Sequence, residues 1–255
     1  MRALLPLIAA ATLPVLASAC GSTNGAAHVE VVAAVRHVAP GEAWDLEAAS
    51  YRATFHELLQ QNGDRLVVTP LSDRSLSETP IFNLIAPTES FVGSNHDDAE
   101  HDRSKDEAEA AISLKTLAAR RAGSKRTEII DALVGAHERF DADDEHVVRL
   151  LLVISTGFEQ SSIVNMADYG LKLNAPTIRR RLIAHLKATG QVVDLRGIRV
   201  CMLGITGGEG GWDYNRRKGV RLFWEDYFRA AGAVLEGYGP TAASCRPLAS
   251  AAETR

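Results

Sequence analysis

Ser155, Ser161 and Ser162 stand close together in STGFEQSS, and a serine hydroxyl becomes a nucleophile only when a base takes its proton and an acid orients that base. His37, His56, His137 and His185 are present, but no motif surrounds any of them and no serine sits in a G-x-S-x-G elbow. A small serine hydrolase is therefore an unsupported alternative. His96, Asp97, Asp98, Glu100, His101 and Asp102 bring together imidazole and carboxylate, both ligands for Zn²⁺. Mixed charge in an unpatterned, loop-like stretch is more often a solvated surface. Gly204 to Gly211, GITGGEGG, follows an apolar run and would present backbone N–H groups to an anion. It lacks the G-K-[ST] ending of a phosphate loop and the spacing of a dinucleotide fingerprint, so a loop is the plainer reading.

The N-terminus carries chemistry of another kind. Arg2, an apolar run from Leu4 to Leu16, and small residues up to Cys20 have the layout of a secretory signal. The run is shorter than the roughly 20 residues that span a bilayer. LASAC resembles the bacterial lipobox, with Ala17 where leucine is commoner, and implies cleavage before Cys20 and acylation of that cysteine. Several acyl chains anchor stably where a single one does not. Residues 1–19 are thus expected to be a signal peptide and residues 20–28 a lipidated cysteine and tether. Cys201, in the apolar IRVCMLGI, reads as a small core residue. Cys245 falls in a polar tail, residues 240–255, that is expected to be disordered, and no disulfide between the two is expected.

Positioning falls to alternating strands and helices. The sequence predicts strands over Val29–Val35, Arg65–Leu71, Pro80–Pro87, Val147–Ser155, Ile198–Thr206 and Ala233–Tyr238. The third has proline at both ends and suits a sheet edge. Trp44, Ala48, Tyr51, Phe55 and Leu58 repeat at helical spacing, as do Ala108, Ala111, Leu114 and Ala118. So do Ile129, Leu133, Ala136 and Phe140, in a helix that Thr127 would cap. Pro176 to Leu186 is a basic helix with Arg179, Arg180, Arg181 and Lys187 mostly outward, and Val220, Phe223, Trp224, Tyr227 and Ala231 face the core from a last helix that stops at Gly232. Parallel strands need helical crossovers that cover both faces, so the pattern is α/β and doubly wound, with a mostly parallel central sheet.

The order VEVVAAV, QNGDRLVV, RTEIIDAL, RLLLVISTGFEQSS, LRGIRVCMLGI and LFWEDYFRAAGA resembles a von Willebrand factor A domain over residues 29–239. Metal-binding members of that family hold a divalent cation, usually Mg²⁺, at the sheet's carboxyl edge, using a D-x-S-x-S loop after the first strand, a threonine, and an aspartate after the fourth. Here the loop position reads Arg36-His37-Val38-Ala39-Pro40, Thr127 matches the threonine, and Thr156 replaces the aspartate. Oxygen-poor and positively charged, such an edge would reject Mg²⁺. Asp73-Arg74-Ser75-Leu76-Ser77 does spell D-x-S-x-S, and if its strand were the first, the metal site would survive. Its plainer reading is a solvated turn.

With 255 residues and a formal charge of -4, and no basic face, nucleic acid is a poor partner. The expectation is a non-enzymatic, lipid-anchored binding module facing the extracytoplasmic side, without a cofactor. It would meet another extracytoplasmic protein through Arg36, His37, Asp73, Thr127, Thr156 and Glu159. The alternative is an Mg²⁺-dependent adhesion domain using Asp73, Ser75 and Ser77.

Overall fold

A computed structural model describes residues 29–36, 59, 64–85, 96–119, 126–140, 147–205 and 213–245. Cys20, His37, the signal and tether, the helix expected at Trp44 to Leu58, and most of the glycine-rich segment lie outside the described residues.

Six strands form one sheet in the order β3-β2-β1-β4-β5-β6. They are β1 (Val29–Arg36), β2 (Arg65–Leu71), β3 (Phe82–Ile85), β4 (Val148–Ile154), β5 (Ile198–Leu203) and β6 (Val234–Tyr238). All neighbours are parallel except β2 and β3. The antiparallel strand is the edge strand that its flanking prolines suggest. Strand order reverses between β1 and β4, where Val35 lies opposite Ile154. β2 lies on one side of this pair and β5 on the other, the switch point at which open sheets form a crevice at the carboxyl ends of the strands.

Both faces of the sheet are covered. Val32, Ala34, Leu151, Val153, Val200 and Met202 face one side, with residues of α2 (Ile129–His137) and α4 (Tyr214–Ala231), and Leu186 of α3 (Pro176–Ala188) joins the same cluster. Val31, Ala33, Leu150, Leu152 and Cys201 face the other, with Ala110 of α1 (His96–Ala119). Successive residues of a strand point to opposite faces, so burial on both faces requires strands that are largely apolar throughout. Ile129, Leu133, Ala136 and Phe140 are all buried, as are Phe223, Trp224, Tyr227 and Phe228.

Several expectations need correction. The polar stretch from His96 is helical, not loop; its acids suit a helix N-terminus, and Ala, Glu and Lys favour helix throughout. Arg179 does not point outward: it is 7% exposed, its Nε donates to Asp226 Oδ2 of α4 at 2.7 Å, and its Nη1 donates to the carbonyls of Leu173 and Asn174. An aliphatic stem and a fork of N–H groups let arginine tie two elements where the helical period alone suggests solvent. Thr127 is not a side-chain cap; the residue before α2 is Glu128, which also caps nothing with its side chain. The start of the tail is structured: Ala242–Cys245 makes a 3-10 turn that returns Cys245 to the sheet, where it is disulfide-bonded to Cys201 with Cα atoms 5.8 Å apart. Glycine makes that return possible, since a Cβ at Gly237 would collide with Cys201 Sγ and the Ser244 carbonyl.

Candidate functional site

β1 ends at Arg36 and β4 runs into Thr156, so the two residues face each other across the crevice. Arg36 Nη1 donates to Thr156 Oγ1 at 3.2 Å. Thr156 is itself buried. The chain turns immediately after it at Gly157, whose φ of 81° and whose closeness to Ile205 leave no place for a side chain. Trp224 Nε1 fixes this turn by donating to the Gly157 carbonyl at 2.7 Å.

A hard divalent cation needs converging oxygen donors, carboxylates above all. Among the described residues, the switch point brings together a guanidinium and the hydroxyl it engages. No group of three or more His, Cys, Asp or Glu among the described residues is arranged to hold a metal ion.

The D-x-S-x-S sequence follows β2, not the first strand, because β1 occupies the central position beside β4. Its hydroxyls serve the local backbone. Ser75 Oγ accepts from Ser72 N and donates to the Ser72 carbonyl, while Ser77 Oγ donates to the Arg74 carbonyl. Asp73 is exposed. The turn is tied to α2, since Glu128 N donates to the Ser72 carbonyl at 3.1 Å.

Glu159 requires the plainest correction, because a residue expected to meet a partner is fully buried. Its Oε2 accepts from Ile130 N at 2.9 Å, so it caps the first turn of α2 from across the fold. Its Oε1 has no hydrogen-bond partner. Burial pushes its pKa up to about 8, against the pull of the Ile130 N–H and the Ser161 hydroxyl. Thr127 is buried beside it, its carbonyl accepting from Gln160 N. Of the expected edge residues, the structure brings Arg36 and Thr156 together, turns Thr127 and Glu159 inward, and leaves Asp73 to solvent.

The candidate serines are engaged locally. Ser155 is buried and its Oγ accepts from Gly157 N. Ser161 Oγ accepts from the amides of Ile163 and Val164.

Sequence reasoning did not single out a carboxyl pair at the start of α2. Glu128 is raised to about 7 by burial first, then by its hydrogen bond to Asp131 and the charges of Asp131 and Asp73. Both residues lie within RTEIIDAL, but only folding brings Asp73 near them. Equally unsignalled is a cavity of about 280 Å³ between the segment after β4 and the start of α4, lined in part by Tyr169, Lys172, Asn174 and Arg216.

No protein-family model and no curated protein matches the chain. Among solved structures, an aerotolerance-related membrane protein from Bacteroides fragilis is 14% identical over 89% of this chain and 97% of its own, with a TM-score of 0.40. The BatB protein from Bacteroides thetaiotaomicron is 14% identical over 89% of this chain and 100% of its own, at 0.42. A von Willebrand factor type A structure from Catenulispora acidiphila is 13% identical over 81% of this chain and 42% of its own, at 0.38. The doubly wound order β3-β2-β1-β4-β5-β6, with β3 alone antiparallel, makes the fold von Willebrand factor A-like.

Proposed function

We propose that the chain is a non-enzymatic protein-binding module, held by lipid on Cys20 at the extracytoplasmic face of a membrane, and that its carboxyl edge binds without a metal. The hydrogen bond from Arg36 to Thr156 carries the metal-free part of this reading. A guanidinium already occupies the place that needs carboxylates, and open α/β sheets bind their ligands at this crevice. Export is supported by the signal-like N-terminus and by the Cys201–Cys245 disulfide, a bond that persists in oxidising compartments. Among the described residues no helix is long and apolar enough to cross a membrane.

The test is a thermal melt in EDTA followed by millimolar Mg²⁺. An ion that binds only the folded state at 100 times its dissociation constant stabilises by about 2.7 kcal/mol. No shift is expected. A shift that Asp73→Ala removes would instead establish the adhesion-site alternative through Asp73, Ser75 and Ser77. Anchoring is read separately by metabolic labelling with a fatty acid, which Cys20→Ser should abolish.

A further inference from the structure

The segment after β4 and the first turn of α4 meet around a cavity of about 280 Å³, close to the lower end of the roughly 300–1,000 Å³ usual for small-ligand sites. Its walls are fixed. Arg179 donates to the carbonyls of Leu173 and Asn174. Gly219 lets α4 approach so closely that a Cβ there would stand 2.8 Å from Asn174 N. Arg216 Nη2 donates to the Met166 carbonyl at 2.6 Å.

One wall is an aromatic ring held in an unusual way. The Arg216 guanidinium lies 4.1 Å from the centroid of Tyr169, a separation at which cation and ring attract. Yet Tyr169 is 82% exposed. Since the guanidinium covers one face, the exposure belongs to the opposite face and the edges. The ring is thus a braced platform turned to solvent. Around it stand the exposed amides of Asn174 and Asn215, each both donor and acceptor, with the carboxylate of Asp213 and the ammonium of Lys172.

The geometry points to a saccharide site, in which Tyr169 stacks on the C–H face of a hexopyranose ring while Asn174 and Asn215 take its hydroxyls. A sugar ring is the ligand that combines a flat apolar face with a rim of neutral donors and acceptors. An anion fits less well. Asp213, which accepts from Arg216 N at 2.9 Å, would repel a second negative charge. The site is separate from the Arg36–Thr156 crevice, so it neither needs nor excludes the protein-binding role.

Saturation-transfer NMR on the purified full chain tests this with N-acetylglucosamine, cellobiose and methyl glucoside, and with acetate and a glutamate-rich peptide as anionic probes. Transfer to ring protons of at least one sugar, with millimolar affinity, is expected. Tyr169→Ala should weaken it about tenfold or more, a change worth about 1.4 kcal/mol. Tyr169→Phe should keep most of the affinity, and Asn215→Ala should reduce it. An unchanged melting temperature in Tyr169→Ala ensures that the loss is local. The proposal is overturned by transfer to none of the sugars, by transfer to the anionic probes alone, or by equal binding in Tyr169→Ala.

Discussion

A carboxyl buried at the first turn of a helix is tolerated either as an anion facing backbone N–H groups or as a neutral acid. Glu159 Oε2 accepts from Ile130 N, and the Ile129 N–H and the Ser161 hydroxyl also favour its anion. These hydrogen bonds do not offset burial, and the pKa of about 8 against an ordinary 4.5 makes the neutral acid the resident form at pH 7. The sign follows from proton counting. Between the two values the folded chain holds a proton that the unfolded chain has released, so stability falls as pH rises, by up to about 1.4 kcal/mol per pH unit. Glu159→Gln keeps an oxygen for the Ile130 N–H but cannot titrate. Its advantage over the natural chain should grow from about pH 5 to pH 8, read by urea melts; parallel pH profiles would sink the assignment. At this scale the sequence was only half legible. Arg36 and Thr156 were legible as residues of the sheet's carboxyl edge, and a hydrogen bond joins them there. That Glu159 faces inward was not legible, since loop residues after a strand have no period to betray their direction.

Elements follow their patterns more closely than single residues do, because a stripe of four or five apolar side chains fixes a face that one residue cannot. β2 spans Arg65–Leu71 as its apolar run implies, and α4 ends at Gly232 in the left-handed conformation that glycine supplies. Patterns fail where a polar side chain reaches across to another element. Arg179 sits in a run of three arginines, and nothing local separates it from Arg180 and Arg181, both exposed. Only Asp226, 47 residues on, and two carbonyls of the preceding loop distinguish it. Removing one partner of a buried pair leaves the other uncompensated, at a cost of 3–5 kcal/mol when both are fully dry. Asp226 is partly exposed, so Arg179→Ala should cost nearer about 2–3 kcal/mol after that screening. Arg180→Ala should stay within about 0.5 kcal/mol. Equal effects in chemical denaturation would mean that the α3–α4 tie carries no weight. A second test concerns the turn after β4. Gly157→Ala forces a Cβ to within 2.8 Å of Ile205 at a φ of 81°, and a loss of about 1–3 kcal/mol is expected. Because the turn follows Thr156, the same variant should also disturb the Arg36 contact.

At the scale of the whole molecule, the chain closes on itself through a bond that composition conceals. Two cysteines make no framework, and one of them lies in a polar tail, so local reading leaves both as thiols. Their pairing is a property of the sheet. β5 holds Cys201 against Cys245 at the start of the tail, β6 narrows to glycine at Gly237, and the turn at Ala242–Cys245 fills the space a side chain would have taken. The bond closes a sequence separation of 44, a span that includes β6 and all of α4. Cross-linking it restricts the unfolded chain, and its loss should cost about 2–4 kcal/mol. The double variant Cys201→Ala, Cys245→Ala avoids leaving a lone reactive thiol and should show that loss in urea without changing the sheet's circular dichroism. The same bond bears on compartment. If the chain matures outside the cytoplasm, alkylation under denaturing conditions should find both cysteines blocked in protein recovered from the membrane fraction. Protein retained in the cytoplasm by deleting residues 1–19 should have both free, with a melting temperature lowered as in the double variant. Free thiols in the membrane-fraction protein would separate stability from export and leave the N-terminal signal as the sole support for an extracytoplasmic site.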